Sequence, residues 1–226
     1  MRDGGPLEAV LFDFDGTLVD TMELIHQSMR HATGDVLGRE MPREQLMANV
    51  GQPLPAQMKV FDPEKVAELL ESYRLYNDEH HERLIREYPD VAASLARLKD
   101  AGIGIGVVTS KRRHSVELAL NSFPSLRETT DVFVTMEDTT EHKPRPEPLL
   151  KGFEKLGNVP PENAAYVGDA PFDIAAARAA GTRAIAVSWG AFTAEALRKA
   201  EPDHLAEDLD GAVDFLLELR EETHNQ

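Results

Sequence analysis

Two aspartates spaced two residues apart are the side chains of this chain best suited to chemistry. Asp13 and Asp15 follow the apolar run 9–12, and side chains two apart in a strand point the same way. Two close carboxylates repel each other, so the pKa of one should rise unless a cation lies between them. Mg²⁺ suits such a pair, because one or two carboxylates and substrate oxygens commonly hold it. The alternative is a solvated turn, in which Asp and Gly16 are ordinary residues.

A second acidic segment follows another apolar run. Asp169 and Asp173 come after residues 164–167. Ligands of open parallel sheets bind at the carboxyl ends of the strands, so these two carboxylates could join Asp13 and Asp15 at one edge. The alternative for Asp173 is that it only caps the helix that follows.

Hydroxyl and basic side chains could hold an anion beside these carboxylates. Thr109 and Ser110 end an apolar run and open a predicted helix, where hydroxyl and backbone N–H groups can bind phosphate oxygens. The same pair could be a plain N-cap. Lys143 lies in the proline-rich segment 142–148, whose backbone is stiff, although a surface linker would look the same. A functional lysine is favoured, because four carboxylates and an anion cannot gather without fixed positive charge.

The apolar runs before these residues predict the strands that position them. They are apolar throughout, as expected of strands covered on both faces, and they span 9–12, 103–108, 132–134, 164–167 and 184–187. Amphipathic stretches predict helices at 65–85, 91–101, 114–122, 147–156, 173–180 and 211–219. The alternation predicts an α/β fold, a doubly wound parallel sheet with a Rossmann-like core.

One region interrupts this alternation. No convincing strand is found in residues 20–88, where Asp20 and Glu23 have the spacing of a capping box and predict the start of a helix. We therefore expect a catalytic core of residues 1–19 and 89–226 with a small helical cap, 20–88, inserted into it. The alternative is that these helices simply cover one face of the sheet.

Composition excludes several classes of protein. The chain has 24 Lys and Arg against 40 Asp and Glu, a net charge of −16, which argues against binding nucleic acid or an anionic membrane. It has no cysteine, so disulfides and thiolate sites are excluded. No targeting segment and no membrane-spanning stretch is recognisable, so we expect a cytoplasmic protein. The polar tail 221–226 is expected to fray.

Together the four motif-bearing segments resemble the haloacid dehalogenase-like hydrolase superfamily, and within it the phosphoglycolate phosphatase and pyrophosphatase-like branch. The resemblance covers residues from about 9 to 190, in the family's order: Asp13-Phe14-Asp15-Gly16-Thr17, Thr109, Lys143, and Gly168-Asp169 with Asp173. It implies a Mg²⁺-dependent phosphohydrolase that cleaves a small phosphate monoester or pyrophosphate through an aspartyl-phosphate intermediate.

The resemblance also implies a role for each catalytic and phosphate-binding residue. Asp13 would attack phosphorus. Asp15 would protonate the leaving oxygen and then deprotonate the attacking water. Thr109, with Ser110 beside it, and Lys143 would bind the transferred phosphoryl group.

The metal and the cap are assigned in the same way. Mg²⁺ would be held by Asp13, by the backbone carbonyl of Asp15 and by Asp169, with Asp173 as a ligand or a support. Gln52 lies in a segment that resembles the substrate-facing loop of the cap in this branch.

Two points stay open at this stage. Three basic residues of the cap could meet a second anionic group of the substrate or could be ordinary solvated charges: Arg43, Lys59 and Arg74. The alternative functions are a phosphomutase of the same superfamily and, with less support, a non-catalytic metabolite-binding protein.

Overall fold

A six-stranded parallel sheet forms the centre of the computed structural model, which describes residues 5–224. The strand order is β5-β4-β1-β6-β7-β8, and a separate pair, β2 and β3, is antiparallel. The strands are β1 (Ala9–Phe12), β2 (Val19–Asp20), β3 (Arg86–Glu87), β4 (Gly104–Val108), β5 (Val132–Val134), β6 (Ala164–Gly168), β7 (Arg183–Val187) and β8 (His204–Ala206). The predicted α/β class is confirmed, and β1 lies in the middle of the sheet.

Within residues 5–224, eleven α-helices accompany this sheet, and the last seven of them cover its two faces. The eleven helices are α1 (Met22–Leu37), α2 (Arg43–Met47), α3 (Leu54–Phe61), α4 (Val66–Leu84), α5 (Val91–Asp100), α6 (Arg113–Ser122), α7 (Pro124–Thr129), α8 (Glu147–Lys155), α9 (Pro171–Ala180), α10 (Ala194–Lys199) and α11 (Leu209–His224). Among residues 5–224, no helix is long and apolar enough to cross a membrane.

Alternate residues of β1 show why its sequence is apolar without interruption. Val10 and Phe12 belong to one hydrophobic cluster, together with residues of α5, α6 and α11. Ala9 and Leu11 belong to another, with residues of α8 and α9. Since both faces of the strand are fully buried, a polar side chain on either face would lose its hydrogen bonds to water, which favours apolar residues at every position.

Helices α1–α4 enclose a third hydrophobic cluster, which includes Ile25, Met29, Met58, Leu69 and Tyr73. Strands β2 and β3 pair where this helical segment leaves the sheet and returns to it. The expectation that residues 20–88 hold no strand is therefore wrong at both ends. Each of these strands is two residues long, too short to leave a periodic signal.

The helix expected to start near Asp20 is present as α1, but the expected capping box is not formed. Thr21, not Asp20, is the residue before α1, and Asp20 accepts a hydrogen bond from the backbone N–H of Met22 at 3.1 Å. The carboxylate of Glu23 binds other side chains instead of closing a capping box. Helix α11 continues to residue 224, so the expected fraying does not begin at 221; residues 225–226 lie outside the described part of the chain.

Candidate active site

Three buried carboxylates meet at the carboxyl end of the central strands. Asp13 follows β1 and Asp169 follows β6, and these strands are hydrogen-bonded neighbours. The backbone N–H of Asp13 donates to the carbonyl of Val167 at 2.8 Å, which fixes the register of the two ends. Oxygens of Asp13, Asp169 and Asp173 lie within 4.8 Å of one another, and all three residues are at most 3% exposed. The sheet thus brings together residues far apart in the sequence.

Asp15 points away from this group. The backbone turns at Gly16, whose φ is 77°, a conformation that glycine adopts without steric cost. Asp15 Oδ1 accepts hydrogen bonds from the hydroxyl of Thr21 at 2.7 Å and from Lys111 Nζ at 2.8 Å. Its carboxylate is therefore not part of the three-carboxylate cluster.

Lys143 lies buried beneath the site, where a surface linker would not place it. Its Nζ is 2.7 Å from Asp173 Oδ1 and 2.9 Å from Asp13 Oδ1, and it donates to the hydroxyl of Tyr166 at 2.9 Å. Tyr166 donates in turn to the carbonyl of Val108 at 2.8 Å. The ammonium group is therefore held at a fixed position against the carboxylates.

Asp173 serves both of the roles that the sequence left open. One oxygen contacts Lys143, and the other accepts the backbone N–H of Ala170 at 2.9 Å, which caps α9. A Cβ at Gly168 would overlap the Asp173 side chain, so the glycine makes room for it.

Asp169 is enclosed by two glycines. A Cβ at Gly16 or at Gly190 would overlap its side chain, and the backbone N–H of Ala191 donates to its Oδ2 at 2.6 Å. The sequence analysis did not identify Gly190 or Ala191 as part of the site. Only the position of Trp189-Gly190, just after the predicted strand 184–187, could have indicated them.

The charges of this cluster do not balance. Burial raises the pKa of Asp13 to about 7, although Lys143 opposes the rise. Burial, followed by the charges of Asp173 and Asp13, also raises the pKa of Asp169 well above its ordinary value. Asp13 Oδ1 contacts Lys143 as an ion pair, but within the described residues no hydrogen-bond donor is aligned with it. An unsatisfied carboxylate oxygen among excess negative charge fits a divalent cation, and all-oxygen ligands suit Mg²⁺.

The two predicted hydroxyl residues have different surroundings. Thr109 ends β4, is 5% exposed, and accepts the backbone N–H of Lys111 at 3.1 Å. The hydroxyl of Ser110 donates to the carbonyl of Gly51 at 2.8 Å. Ser110 therefore connects the sheet to the loop that precedes α3.

A cavity lies between the ends of β1 and β4 and the helices α3 and α4. The core contributes Asp13, Asp15 and the segment 109–112, and the helical segment contributes Gln52 and Arg74, among others. The cavity is not lined by Lys143, Asp169 or Asp173.

Of the three basic residues proposed for the cap, the structure places one at this cavity. Arg74 lines it. Arg43 is exposed and paired with Glu23 at 2.9 Å, and Lys59 is exposed. Arg112, which the sequence analysis did not single out, also lines the cavity.

Comparison with known proteins identifies the family. A model of the haloacid dehalogenase-like hydrolase family matches residues 10–187. A protein of Caldanaerobacter subterraneus subsp. tengcongensis, provisionally named pyrophosphatase PpaX, is 41% identical over 220 residues, covering 97% of this chain and 99% of its own. The pyrophosphatase PpaX of Bacillus cereus is 37% identical over 213 residues, covering 94% of this chain and 98% of its own.

Solved structures show the same fold. A crystal structure from Clostridium acetobutylicum, described as a predicted phosphatase, has a TM-score of 0.84 at 26% identity and covers 94% of this chain and 99% of its own. One from Lactobacillus plantarum, provisionally described as a phosphoglycolate phosphatase, has a TM-score of 0.82 at 25% identity and covers 95% and 99%. The chain therefore belongs to the haloacid dehalogenase-like hydrolase family, with relatives in its phosphoglycolate phosphatase and pyrophosphatase branch.

Proposed function

We propose that this protein is a Mg²⁺-dependent phosphohydrolase that cleaves a small phosphate monoester, or pyrophosphate, through an aspartyl-phosphate intermediate. The observation that carries the proposal is the position of Asp13. Asp13 lines the cavity, and it lies against Lys143 and Asp169, which do not line the cavity. A nucleophile that is open to substrate on one side and neutralised on the other is what phosphoryl transfer needs. The family and the names of the relatives support a phosphatase.

In the first step, a carboxylate oxygen of Asp13 forms a bond to phosphorus while the bond between phosphorus and the leaving oxygen breaks. Asp15, in its protonated form, donates its proton to that leaving oxygen. Thr21 and Lys111 hold the Asp15 carboxyl at the wall of the same cavity. The products of this step are the released alcohol, or phosphate, and an acyl phosphate on Asp13.

In the second step, Asp15 takes a proton from a water molecule, whose oxygen attacks the phosphorus of the acyl phosphate. The bond between phosphorus and Asp13 breaks, inorganic phosphate leaves, and both aspartates return to their starting states. Thr109 at the end of β4 and Lys143 below Asp13 would bind the phosphoryl oxygens during both steps.

Asp13, Asp169 and the backbone carbonyl of Asp15 would hold Mg²⁺. When bound, the ion would offset the negative charge of the phosphoryl oxygens. Asp173 would act on the site through Lys143, whose Nζ it holds at 2.7 Å. The raised pKa values of Asp13 and Asp169 support a cation here, because a bound cation would restore their charged forms.

Residues 20–88 would act as the cap, and residues 1–19 and 89–226 as the catalytic core. Gln52 supports this division, because it lines the cavity from the helical side while Asp13 lines it from the sheet. Closure over a bound substrate would exclude water from the first step.

A phosphate-release assay with Mg²⁺ tests the proposed function. Purified protein is incubated with pyrophosphate, 2-phosphoglycolate and neutral phosphate esters, and free phosphate is measured over many turnovers. Steady release from at least one compound is expected. Phosphoryl transfer between substrate positions without steady release would favour the phosphomutase instead, and substrate binding without either reaction would favour a non-catalytic protein.

A further inference from the structure

We propose that Arg74 and Arg112 form an anion-binding subsite for the leaving group, so that the preferred substrate carries a second oxyanion beyond the transferred phosphoryl group. The inference rests on the proposed function and deepens it. Two arginines from different parts of the fold would thus select substrates with a negatively charged leaving group.

The two arginines approach the same cavity from opposite sides. Arg74 lies on α4, and Arg112 directly precedes α6, three residues after Thr109. Both side chains are partly buried. Burial lowers the pKa of Arg74, and the positive charge of Arg112 acts in the same direction. Two guanidinium groups that line the same cavity repel each other unless an anion lies between them.

The other cations of the site already have carboxylate partners. Lys143 contacts Asp13 and Asp173 at 2.9 Å and 2.7 Å. Lys111 contacts Asp15 at 2.8 Å. Both lysines are therefore already in contact with carboxylates, which leaves the arginines as the better candidates to bind a second oxyanion.

The arginines are less well compensated. Arg112 is 3.2 Å from Asp78, which it shares with His114 at 3.4 Å. Within residues 5–224, Arg74 has no carboxylate within ion-pair distance, and its buried Nε atom has no hydrogen-bond partner; Asp78 and Glu137 act on it only at longer range. A buried N–H without an acceptor costs free energy, which an oxyanion in the cavity would recover.

The chemistry of the guanidinium group identifies the ligand class. Arginine binds carboxylate and phosphate oxygens with two parallel hydrogen bonds. Arg74 and Arg112 share a cavity with Asp13, so they can reach a group attached to the phosphoryl group under attack. The second phosphoryl group of pyrophosphate and the carboxylate of a phosphorylated hydroxy acid both provide such an oxyanion.

Kinetics with matched substrates test the subsite. Phosphate release is measured for pyrophosphate, for 2-phosphoglycolate and for 2-hydroxyethyl phosphate, which replaces the carboxylate of 2-phosphoglycolate by a neutral hydroxymethyl group. Arg74→Gln is expected to lower kcat/KM for one or both anionic substrates roughly 10- to 100-fold relative to its effect on the neutral ester, since hydrogen bonds to charged groups are worth about 1.5–3 kcal/mol. Arg112→Gln should act in the same direction, and Arg74→Lys should restore part of the loss.

Arg43→Gln is the matched control. Arg43 is also an arginine of the helical segment, but it is paired with Glu23 outside the cavity, so its loss should leave the substrate preference unchanged. A selective loss with only pyrophosphate, or only 2-phosphoglycolate, identifies which oxyanion the subsite takes. An equal loss with all three substrates in Arg74→Gln would overturn the proposal.

A binding measurement separates this proposal from the proposed function. Calorimetry with Mg²⁺ and methylenediphosphonate, which is not hydrolysed, reports on the subsite even if no substrate is turned over. Wild-type protein should bind it at least tenfold more tightly than Arg74→Gln does. Equal affinities would overturn the subsite, whereas an absence of phosphate release from every compound contradicts the proposed function alone.

Discussion

Asp13 occupies an environment that would be unfavourable for an isolated carboxylate. It is 3% exposed, and Asp169 and Asp173 crowd it while Lys143 provides one positive charge. Such a concentration of buried charge destabilises a fold unless it is compensated. The position of this cluster at the open end of the central strand therefore supports the proposed catalytic role and not a stabilising one.

Asp13→Asn tests the nucleophile directly. An amide is a poor nucleophile and cannot form the acyl phosphate, so phosphate release should fall almost to background. The measurement is steady-state turnover with the best substrate, with circular dichroism as a check that the variant is folded. Turnover near the wild-type rate in a folded variant would remove Asp13 from this role.

His81 on α4 should make stability depend on pH. It is 2% exposed, and burial lowers its pKa to about 4, with Lys111 acting in the same direction. An unfolded histidine has a pKa of about 6.5. Between these values the unfolded chain takes up a proton that the folded chain does not, so stability is lost as the pH falls from 6.5 towards 4.

His81→Gln should therefore flatten the fall of Tm over this pH range. The melting temperature is measured from pH 7 to pH 4 for wild type, His81→Gln and His114→Gln. His114 is an exposed control, and its variant should stay close to the wild-type slope. A wild-type slope in His81→Gln would show that other groups set the acid dependence.

Residue types and their spacing in the sequence could predict the residues at the carboxyl ends of the strands, because Asp13, Thr109 and Asp169 each come just after an apolar run. The same signal could not find Gly190, which matters only because a Cβ there would meet Asp169 in three dimensions. Nor could the sequence distinguish Arg74 from Arg43, because only the three-dimensional structure shows that Arg74 lines the cavity and that Arg43 is paired with Glu23 outside it.

At the scale of elements, the site depends on the alignment of neighbouring strands. Strand β1 pairs with β4 on one side and β6 on the other, so that Phe12 lies beside Val107 and Val167. In the proposed mechanism, the residues that follow these positions would supply the nucleophile, the phosphate-binding segment and the acidic metal ligand. A strand slipped by one residue would turn its side chains to the opposite face.

Removal of the proposed Mg²⁺ should abolish activity, because the carboxylates that would hold it follow two neighbouring strands and repel each other without a cation. Protein dialysed against excess chelator should release no phosphate, and added Mg²⁺ should restore the wild-type rate. Ca²⁺, which is larger and more flexible in coordination, should restore less. Full activity in chelator after dialysis would show the metal assignment to be wrong.

Gly190→Ala should weaken metal binding through the β7–α10 connection. The added Cβ would displace the Asp169 side chain, and disturbed supporting contacts typically cost 10- to 100-fold in metal affinity. The Mg²⁺ concentration for half-maximal activity should rise by about this factor. Gly34→Ala, with open space around the added Cβ inside α1, is the control and should leave the requirement unchanged.

Strand prediction succeeded for continuous apolar runs and failed where no such run is present. Strand β8 begins with a histidine and has no apolar run of its own, whereas β5 is equally short but apolar throughout and was predicted. The pair β2 and β3 was missed because it is held by contacts between residues far apart in the sequence. Local periodicity carries no information about such pairing.

At the scale of the whole molecule, the helical segment and the sheet contribute opposite walls of one cavity. Ser110 donates to the carbonyl of Gly51 between them, and Arg112 pairs with Asp78. We therefore expect a division of labour, in which the sheet side binds the phosphoryl group common to all substrates, and the helical wall together with Arg112 contacts the part that varies.

Gln52→Ala and Lys143→Ala should separate these contributions. Gln52→Ala should change the relative kcat/KM of different phosphate esters, because Gln52 lies on the helical wall. Lys143→Ala should lower kcat/KM for every substrate, because it removes a positive charge that all of them use. One panel of esters assayed with both variants is the measurement. Proportional losses in Gln52→Ala, or altered preference without general loss in Lys143→Ala, would contradict the division.

The central position of β1 has a consequence for how the chain folds during synthesis. Ala9 is aligned with Gly104 on one edge and with Ala164 on the other. Strand β1 can therefore be hydrogen-bonded along both edges only after β6 has been synthesised, whereas α1 and α4 can pack earlier. An apolar strand with open edges favours association with other chains. Nascent chains that end before residue 164 should therefore depend most on chaperones.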